Sequence, residues 1–393
     1  MYDVIVVGAR AAGSPTAMLF ARAGYRVLLL DRIRHPRDTL STLYIHQPGV
    51  AHLKRWGLLE SVAATGCPPI ERIRHQVKDV ALEGCSWPAD GVTAAYAPRR
   101  YLLDRILTEG AVASGAEFRE QSAVDELVFE KGRVVGVRYR SGGKQFEERA
   151  HLVVGADGMR SKVAGLAGAR TELEDPMLTC VYYSFWSGID AGFEVYESSR
   201  RWAGFVPTND GLTLVATYFP MAQYERVRAD ARTAYLENIS AITPALADRM
   251  AGATQEDRLF GTGDQRNFFR QAAGPGWALV GDAGHHKDSL TGKGITDAFR
   301  QAVALVESVS DGLRDDSRLD KSLRQYAERR DDLVMDGYRD TLAAAELRPG
   351  RRLPLMRAIV GHPQLTARFF STISGVLPSE ELMTPELRER VGV

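Results

Sequence analysis

Cysteine is scarce in this chain: 393 residues carry only Cys67, Cys85 and Cys180. They lie far apart with no Cys-x-x-Cys pair, which excludes a disulfide scaffold and reads as buried, reduced thiols in a cytoplasmic protein. Long hydrophobic runs are missing too. None approaches the roughly 18 apolar residues that span a bilayer, so no integral membrane segment is expected. The first run, Val4–Val7, follows Asp3 and stops at Gly8, unlike a signal peptide. Nor is there a surplus of charge. Fifty Lys and Arg balance 50 Asp and Glu, so nothing draws the chain to nucleic acid. Low-complexity tracts and repeats are absent. No His/Cys/Asp cluster has metal-ligand spacing, and no Gly-x-Ser-x-Gly elbow appears, so no metal site is expected.

What is present is an ordinary globular composition, 45% apolar and 25% charged, enough for two or three domains. Tyr2–Val7 reads as a strand buried on both faces. Gly8-Ala9-Arg10-Ala11-Ala12-Gly13 follows, then a helix with Ala17, Phe20 and Ala21 on one stripe, then a strand over Arg26–Leu30 ending at Asp31. Such a β-α-β unit implies a parallel pair with a right-handed crossover. Helices are expected over 47–62 and 100–114, a β-meander over 122–147, and a separate buried strand over 151–155. Aromatic strands follow over 177–220, helices over 222–251, a short buried strand over 277–280, and helices over 294–311, 318–346 and 352–376. Arg329-Arg330 reads as a solvated helix end. The fold class is α/β with α+β elements. A discontinuous nucleotide domain (1–70, 99–176 and 270–312) is interleaved with a second domain (71–98 and 177–269), and 313–393 form a helical C-terminal segment.

Three glycine-acid motifs stand at the carboxyl ends of buried strands, where open α/β sheets bind ligands. In the first, Gly8, Gly13 and Asp31 supply what a dinucleotide needs. These are a tight turn, free amides at a helix N-terminus for pyrophosphate, and an acid for ribose hydroxyls. Arg10 occupies the usual middle-glycine position, so its side chain either turns away or contacts the phosphate. The second motif is Gly155-Ala156-Asp157-Gly158. The third is Gly281-Asp282-Ala283-Gly284-His285, after which Thr291-Gly292-Lys293-Gly294-Ile295 opens a helix. That helix start points free N–H groups and a positive dipole end at whatever precedes it. Lys293 either adds a cation there or is a solvated lysine. His285 and His286 suit proton relay by their ordinary pKa range, or pack as loop residues.

With these motifs in this order, the chain resembles the para-hydroxybenzoate hydroxylase family of FAD-dependent monooxygenases, with kinship to geranylgeranyl reductases, over about residues 1–312. The resemblance implies a Rossmann-like FAD-binding domain with a parallel sheet, an antiparallel-sheet substrate domain and a helical C-terminus. It implies non-covalent FAD, with Asp31 on the adenosine ribose, Asp282 on the ribityl chain, and Asp157 supporting the fold near the pyrophosphate. Further cofactor contacts are implied at Gly8, Arg10, Ala12, Gly13, Arg32, Gly281, Gly292, Gly294 and Ile295. Arg100, or its neighbour Arg99, would lie near the diphosphate. His46 falls where the family's loop approaches flavin and substrate, so His46, His285 and Lys293 stand as candidate catalytic residues. Ser289 departs from the proline usual there.

The implied activity is hydroxylation of an aromatic or polyketide-like small molecule. NADPH or NADH would reduce the flavin, and a flavin hydroperoxide would transfer the oxygen. FAD-dependent C=C reduction, as in geranylgeranyl reductases, is the alternative. A non-redox flavin-fold binding protein is a third reading. No oligomeric state is implied.

Overall fold

A computed structural model describes residues 1–392, the Arg351 side chain excepted. The chain is α/β, as the sequence pattern indicates. Its first sheet runs in spatial order Ala273–Gly274, Trp277–Leu279, Lys144–Gly155, Tyr2–Val7, Val27–Leu30 and Glu117–Arg119, with Ala123–Glu130 and Arg133–Ser141 joined along Lys144–Gly155. From Trp277–Leu279 to Glu117–Arg119 the neighbours are parallel. Both faces of the first strand are covered, which is why it is apolar without alternation. Val4 and Val6 pack with Phe20, Leu103 and Phe299, whereas Ile5 and Val7 pack with Val124, Val137 and Val163. The helices Gly13–Arg22, Arg100–Ala113 and Gly294–Val309 belong to the first of these two cores.

Two expected elements differ. The last meander strand and the buried strand at 151–155 are one strand of 12 residues, Lys144–Gly155. Its exposed half pairs with Arg133–Ser141 and its buried half with Tyr2–Val7, so its two halves obey different patterns. The helix expected over 47–62 is two, Gln47–Arg55 and Leu59–Ala63, separated at Gly57, whose φ of 74° ends the first.

The second sheet has the order Thr254–Gln255, Thr179–Ser187, Thr213–Pro220, Arg201–Pro207, Phe193–Ser198, Ile73–Val77 and Val80–Gly84, with Phe260–Thr262 beside Thr179–Ser187. Phe205, Val215 and Phe219 on one face meet Tyr235, Ile239 and Leu246 of the helices Ala231–Ser240 and Pro244–Ala251. Val181, Tyr183, Phe185 and Leu214 on the other face meet Leu43, Tyr44 and Leu290. The long helix Asp316–Ala345 is fastened to the first sheet, because Tyr326 Oη donates to Leu279 O at 2.6 Å. Arg330 is no solvated end residue. It is fully buried mid-helix, donating to Gly284 O at 3.1 Å and Arg270 O at 2.7 Å. Two further helices, Leu353–Ile359 and Pro363–Ser374, bury Met356, Phe369 and Phe370 on Ile73–Gly84. Among the described residues, no helix is long and apolar enough to cross a membrane.

Candidate functional site

A cavity of about 760 Å³ lies where the three glycine-acid motifs converge at the strand ends, within the size range of small-molecule and cofactor sites. Gly8, Arg10, Ala12, Asp31, Arg32, Arg100, Asp157, Gly281, Asp282, His285, Gly292, Gly294 and Ile295 all line it. Gly13, His46 and Lys293 are not on its wall.

The first turn has no room for side chains at its glycines. Gly8 has φ of 104°, and a Cβ there would stand 2.4 Å from Ala156 O; one on Gly13 would stand 1.7 Å from Gly8 O. The bare backbone brings the helix N-terminus against the second motif. Asp31 closes the unit: Ala9 N donates to its Oδ2 at 2.7 Å and Ile33 N to its Oδ1 at 2.9 Å, while His35 Nε2 stands 3.2 Å from Oδ2. Burial raises this carboxyl's pKa, but the His35 and amide hydrogen bonds outweigh it and hold it below the ordinary range.

Asp157 works on its own loop. Its Oδ1 accepts from Ser161 Oγ at 2.5 Å, and its Oδ2 accepts from the Lys162 and Val163 amides at 2.7 and 3.1 Å, which holds the start of the helix Lys162–Leu166. Gly281 N donates to Gln301 Oε1 at 2.9 Å, while Gln301 Nε2 is buried with no partner at the cavity wall. Asp282 is exposed on that wall and makes no hydrogen bond to a described residue.

The two arginines beside each other diverge. Arg100 is buried and lines the cavity, its Nη2 donating to Asp104 Oδ1 at 3.0 Å. Arg99 is not on the wall; it donates to Asp38 Oδ2 at 2.7 Å with its guanidinium 3.8 Å from the Phe185 ring centroid. Lys293 also departs from both expectations, because it is neither solvated nor on the cavity wall. Its Nζ stands 3.9 Å from Asp340 of the long helix, and burial pushes its pKa down. The cation that does line this part of the cavity is Lys287, buried and paired with Asp297.

His46 sits behind the wall. Its Nε2 donates to Thr291 O at 3.0 Å and its ring packs edge-on to Tyr44 at 4.7 Å; burial pushes its pKa down to about 4, so it is neutral. Tyr44 is the residue that reaches the cavity, with its hydroxyl buried and unpartnered and its ring stacked on Phe193 at 4.3 Å. His285 is on the wall, its Nε2 unpartnered and its pKa well below the ordinary value through burial and then the charges of Lys287 and Arg330. His286 turns to Arg266 O.

Asp288 went unnoticed in the sequence. Its carboxyl lines the cavity, accepts from Thr179 Oγ1 at 2.6 Å and Leu290 N at 3.1 Å, and is pushed up to about 6 by burial. The only local hint was a Lys-Asp pair directly after the glycine-acid motif. Thr179, which gives Asp288 its environment, lies 109 residues away in the chain.

A family model for an FAD binding domain matches residues 1–340. The digeranylgeranylglycerophospholipid reductase of Methanosarcina acetivorans is 27% identical over 348 residues, covering 84% of this chain and 80% of that protein. Digeranylgeranylglycerophospholipid reductase 1 of Methanopyrus kandleri is 25% identical, covering 88% and 91%. Among solved structures, the flavin-dependent brominase Bmp2 is similar with a TM-score of 0.82 at 17% identity, over 100% of this chain and 98% of that one. A flavoprotein/dehydrogenase from Cytophaga hutchinsonii has a TM-score of 0.81 at 16% identity, over 97% and 94%. At such identities these two speak for the fold alone.

Proposed function

The chain belongs to the FAD binding domain family, and from that premise we propose that this FAD-dependent oxidoreductase reduces carbon–carbon double bonds in an apolar, prenyl-type substrate. One observation carries the reading: over 84% of the chain it is similar to a protein named as a digeranylgeranylglycerophospholipid reductase. The cavity end nearest the second sheet agrees with it, since Tyr44 there belongs to an apolar cluster with Leu43, Leu214 and Leu290.

The donor set fits FAD. Gly8 and Gly13 let the first turn close against the second motif at the cavity wall, and Gln301 Nε2 is a buried donor there without a protein partner. Arg10 and Arg100 would hold the diphosphate, Asp31 and Asp282 the ribose and ribityl hydroxyls. The amides of Gly294 and Ile295, at a helix N-terminus, would hold the flavin's electron-rich edge. When bound, FAD supplies two-electron chemistry with NADPH or NADH as the source of electrons.

The chain's own share is positioning and proton management. Lys287 with Asp297 places a buried, neutralised ion pair on the wall. Tyr44, stacked on Phe193, gives its end of the wall an apolar face. Reduction of a C=C bond needs a proton as well as a hydride. Asp288, with its carboxyl pushed up to about 6, can hold one and release it near neutral pH.

The test is anaerobic turnover. Protein whose flavin is reduced with NADPH or NADH, then offered a prenylated lipid, should yield product heavier by the mass of two hydrogens. Oxygen uptake dependent on a phenolic or polyketide-like compound would instead assign monooxygenation. A colourless protein that binds no flavin would assign a non-redox role.

A further inference from the structure

The turn after the first strand carries a cation whose donors are unused. Arg10 lines the cavity, and its guanidinium makes no hydrogen bond to any described residue. Its nearest anion is Asp104, with Nε 3.8 Å from Oδ2, a charge contact beyond hydrogen-bond length. Asp104 is 1% exposed and already engaged: Arg100 donates to it from Nη2 at 3.0 and 3.2 Å and from Nε at 3.3 Å. Two guanidiniums therefore share one carboxylate. Arg32 adds a third cation to the same stretch of wall. The other acid whose charge reaches Arg10, Asp31, is taken up by the Ala9 and Ile33 amides and His35. Arg10, Arg32 and Arg100 thus meet two aspartates, Asp31 and Asp104, beside the N-terminus of the helix Gly13–Arg22.

Burial disfavours the charged form of Arg10; Asp104 opposes this, and the like charge of Arg100 adds to it. An anion with two oxygens in the cavity would remove that frustration, because a guanidinium donates two parallel N–H bonds to a phosphate. A glycine at this position would let the backbone approach the phosphates. A residue with a side chain holds the backbone further off, and a long arginine can span the difference.

We infer that Arg10 is a ligand of the cofactor's diphosphate and that Asp104 is a positioning residue holding Arg10 and Arg100 as one paired clamp. The inference rests on the FAD reading above and extends it to a residue that breaks the usual glycine fingerprint.

The probes are FAD and riboflavin, which share the ring system but differ in the diphosphate. Both are titrated by flavin fluorescence into protein stripped of its cofactor. Arg10→Met should raise the Kd for FAD by about tenfold or more, the scale of one lost charge-assisted hydrogen bond, and leave riboflavin unchanged. Its FAD affinity should also depend less on salt than that of the unmodified protein. Arg10→Lys should recover part of the affinity, and Arg10→Gly should weaken FAD despite restoring the glycine. Equal weakening of FAD and riboflavin would make Arg10 a structural residue and overturn the assignment, as would unchanged or tighter FAD binding by Arg10→Gly. If the unmodified protein binds neither flavin, the oxidoreductase reading falls as well. If it binds FAD and the variants match it, only the Arg10 assignment falls.

Discussion

Asp282 and Asp288 lie six positions apart on one cavity wall, yet their surroundings differ. Asp282 is exposed and has no hydrogen bond to a described residue. Asp282→Ala is expected to fold but to purify with little flavin, its FAD Kd raised about tenfold or more by the loss of charge-assisted bonds. The ratio of flavin to protein absorbance after purification checks this. Asp288 is buried, and its carboxyl rises to about 6 from the ordinary 3.8. A raised folded pKa means that the neutral form is favoured in the fold. The stability it contributes is complete below the ordinary value and is lost as pH rises to about 6. Asp288→Asn cannot titrate, so its melting temperature should gain on the unmodified protein between about pH 4 and pH 6 and hold that gain above. Thermal unfolding from pH 4 to 8 tests it. Asp282 was legible because the strand, the glycine and the acid are adjacent. The environment of Asp288 was not legible, because Thr179 lies on another sheet.

The turns at the starts of the helices separate steric need from ligand contact. A Cβ on Gly13 would meet Gly8 O at 1.7 Å, whereas one on Gly294 would meet nothing within 4 Å. Gly13→Ala should therefore destabilise the protein by about 3 kcal/mol, the upper scale for overpacking, and abolish flavin binding. Gly294→Ala should keep the fold. Urea unfolding of the two variants gives the comparison. At the same helix start, Lys293 stands by Asp340 and away from the cavity. Lys293→Met is expected to hold or raise the melting temperature, because burial disfavours the charge it removes, and to leave the reduction potential of bound flavin unshifted. A fall of some tens of millivolts, the equivalent of about 1 kcal/mol or more for two electrons, would return Lys293 to the flavin. The helix start itself could be read from Gly292 and Gly294, but the direction of the intervening side chain could not. That direction is set by the long helix packed alongside.

Across the whole molecule, buried polar ties join segments remote in sequence. Glu197 of the second sheet accepts from His75 at 2.8 Å and from Arg352 of the C-terminal segment, and it is 3% exposed. Burial raises its carboxyl pKa, but Arg352 and His75 outweigh that and hold it below the ordinary range. Glu197→Gln removes the charge that both partners share and should cost about 3 kcal/mol, the lower scale for breaking a buried pair, as read by chemical denaturation at neutral pH. The native tie should weaken as pH falls below the ordinary carboxyl range, because the lowered pKa gives stability only while the group is ionised.

The amino-acid order by itself determined the α/β class, the three strand-end motifs and the FAD reading. Each rests on residues within a few positions of one another, where backbone sterics and side-chain alternation act directly. It also made the chain's place among flavoproteins legible from Gly8, Gly13, Asp31, Asp157 and Asp282. Only the tertiary structure decided that Arg100 and not Arg99 faces the cavity, that Lys287 rather than Lys293 brings a cation to its wall, and that Arg330 is buried against two backbone carbonyls. Those outcomes depend on which long side chains find partners on segments tens of residues away or on a neighbouring helix. Burial and pairing select that direction, and no local pattern encodes it.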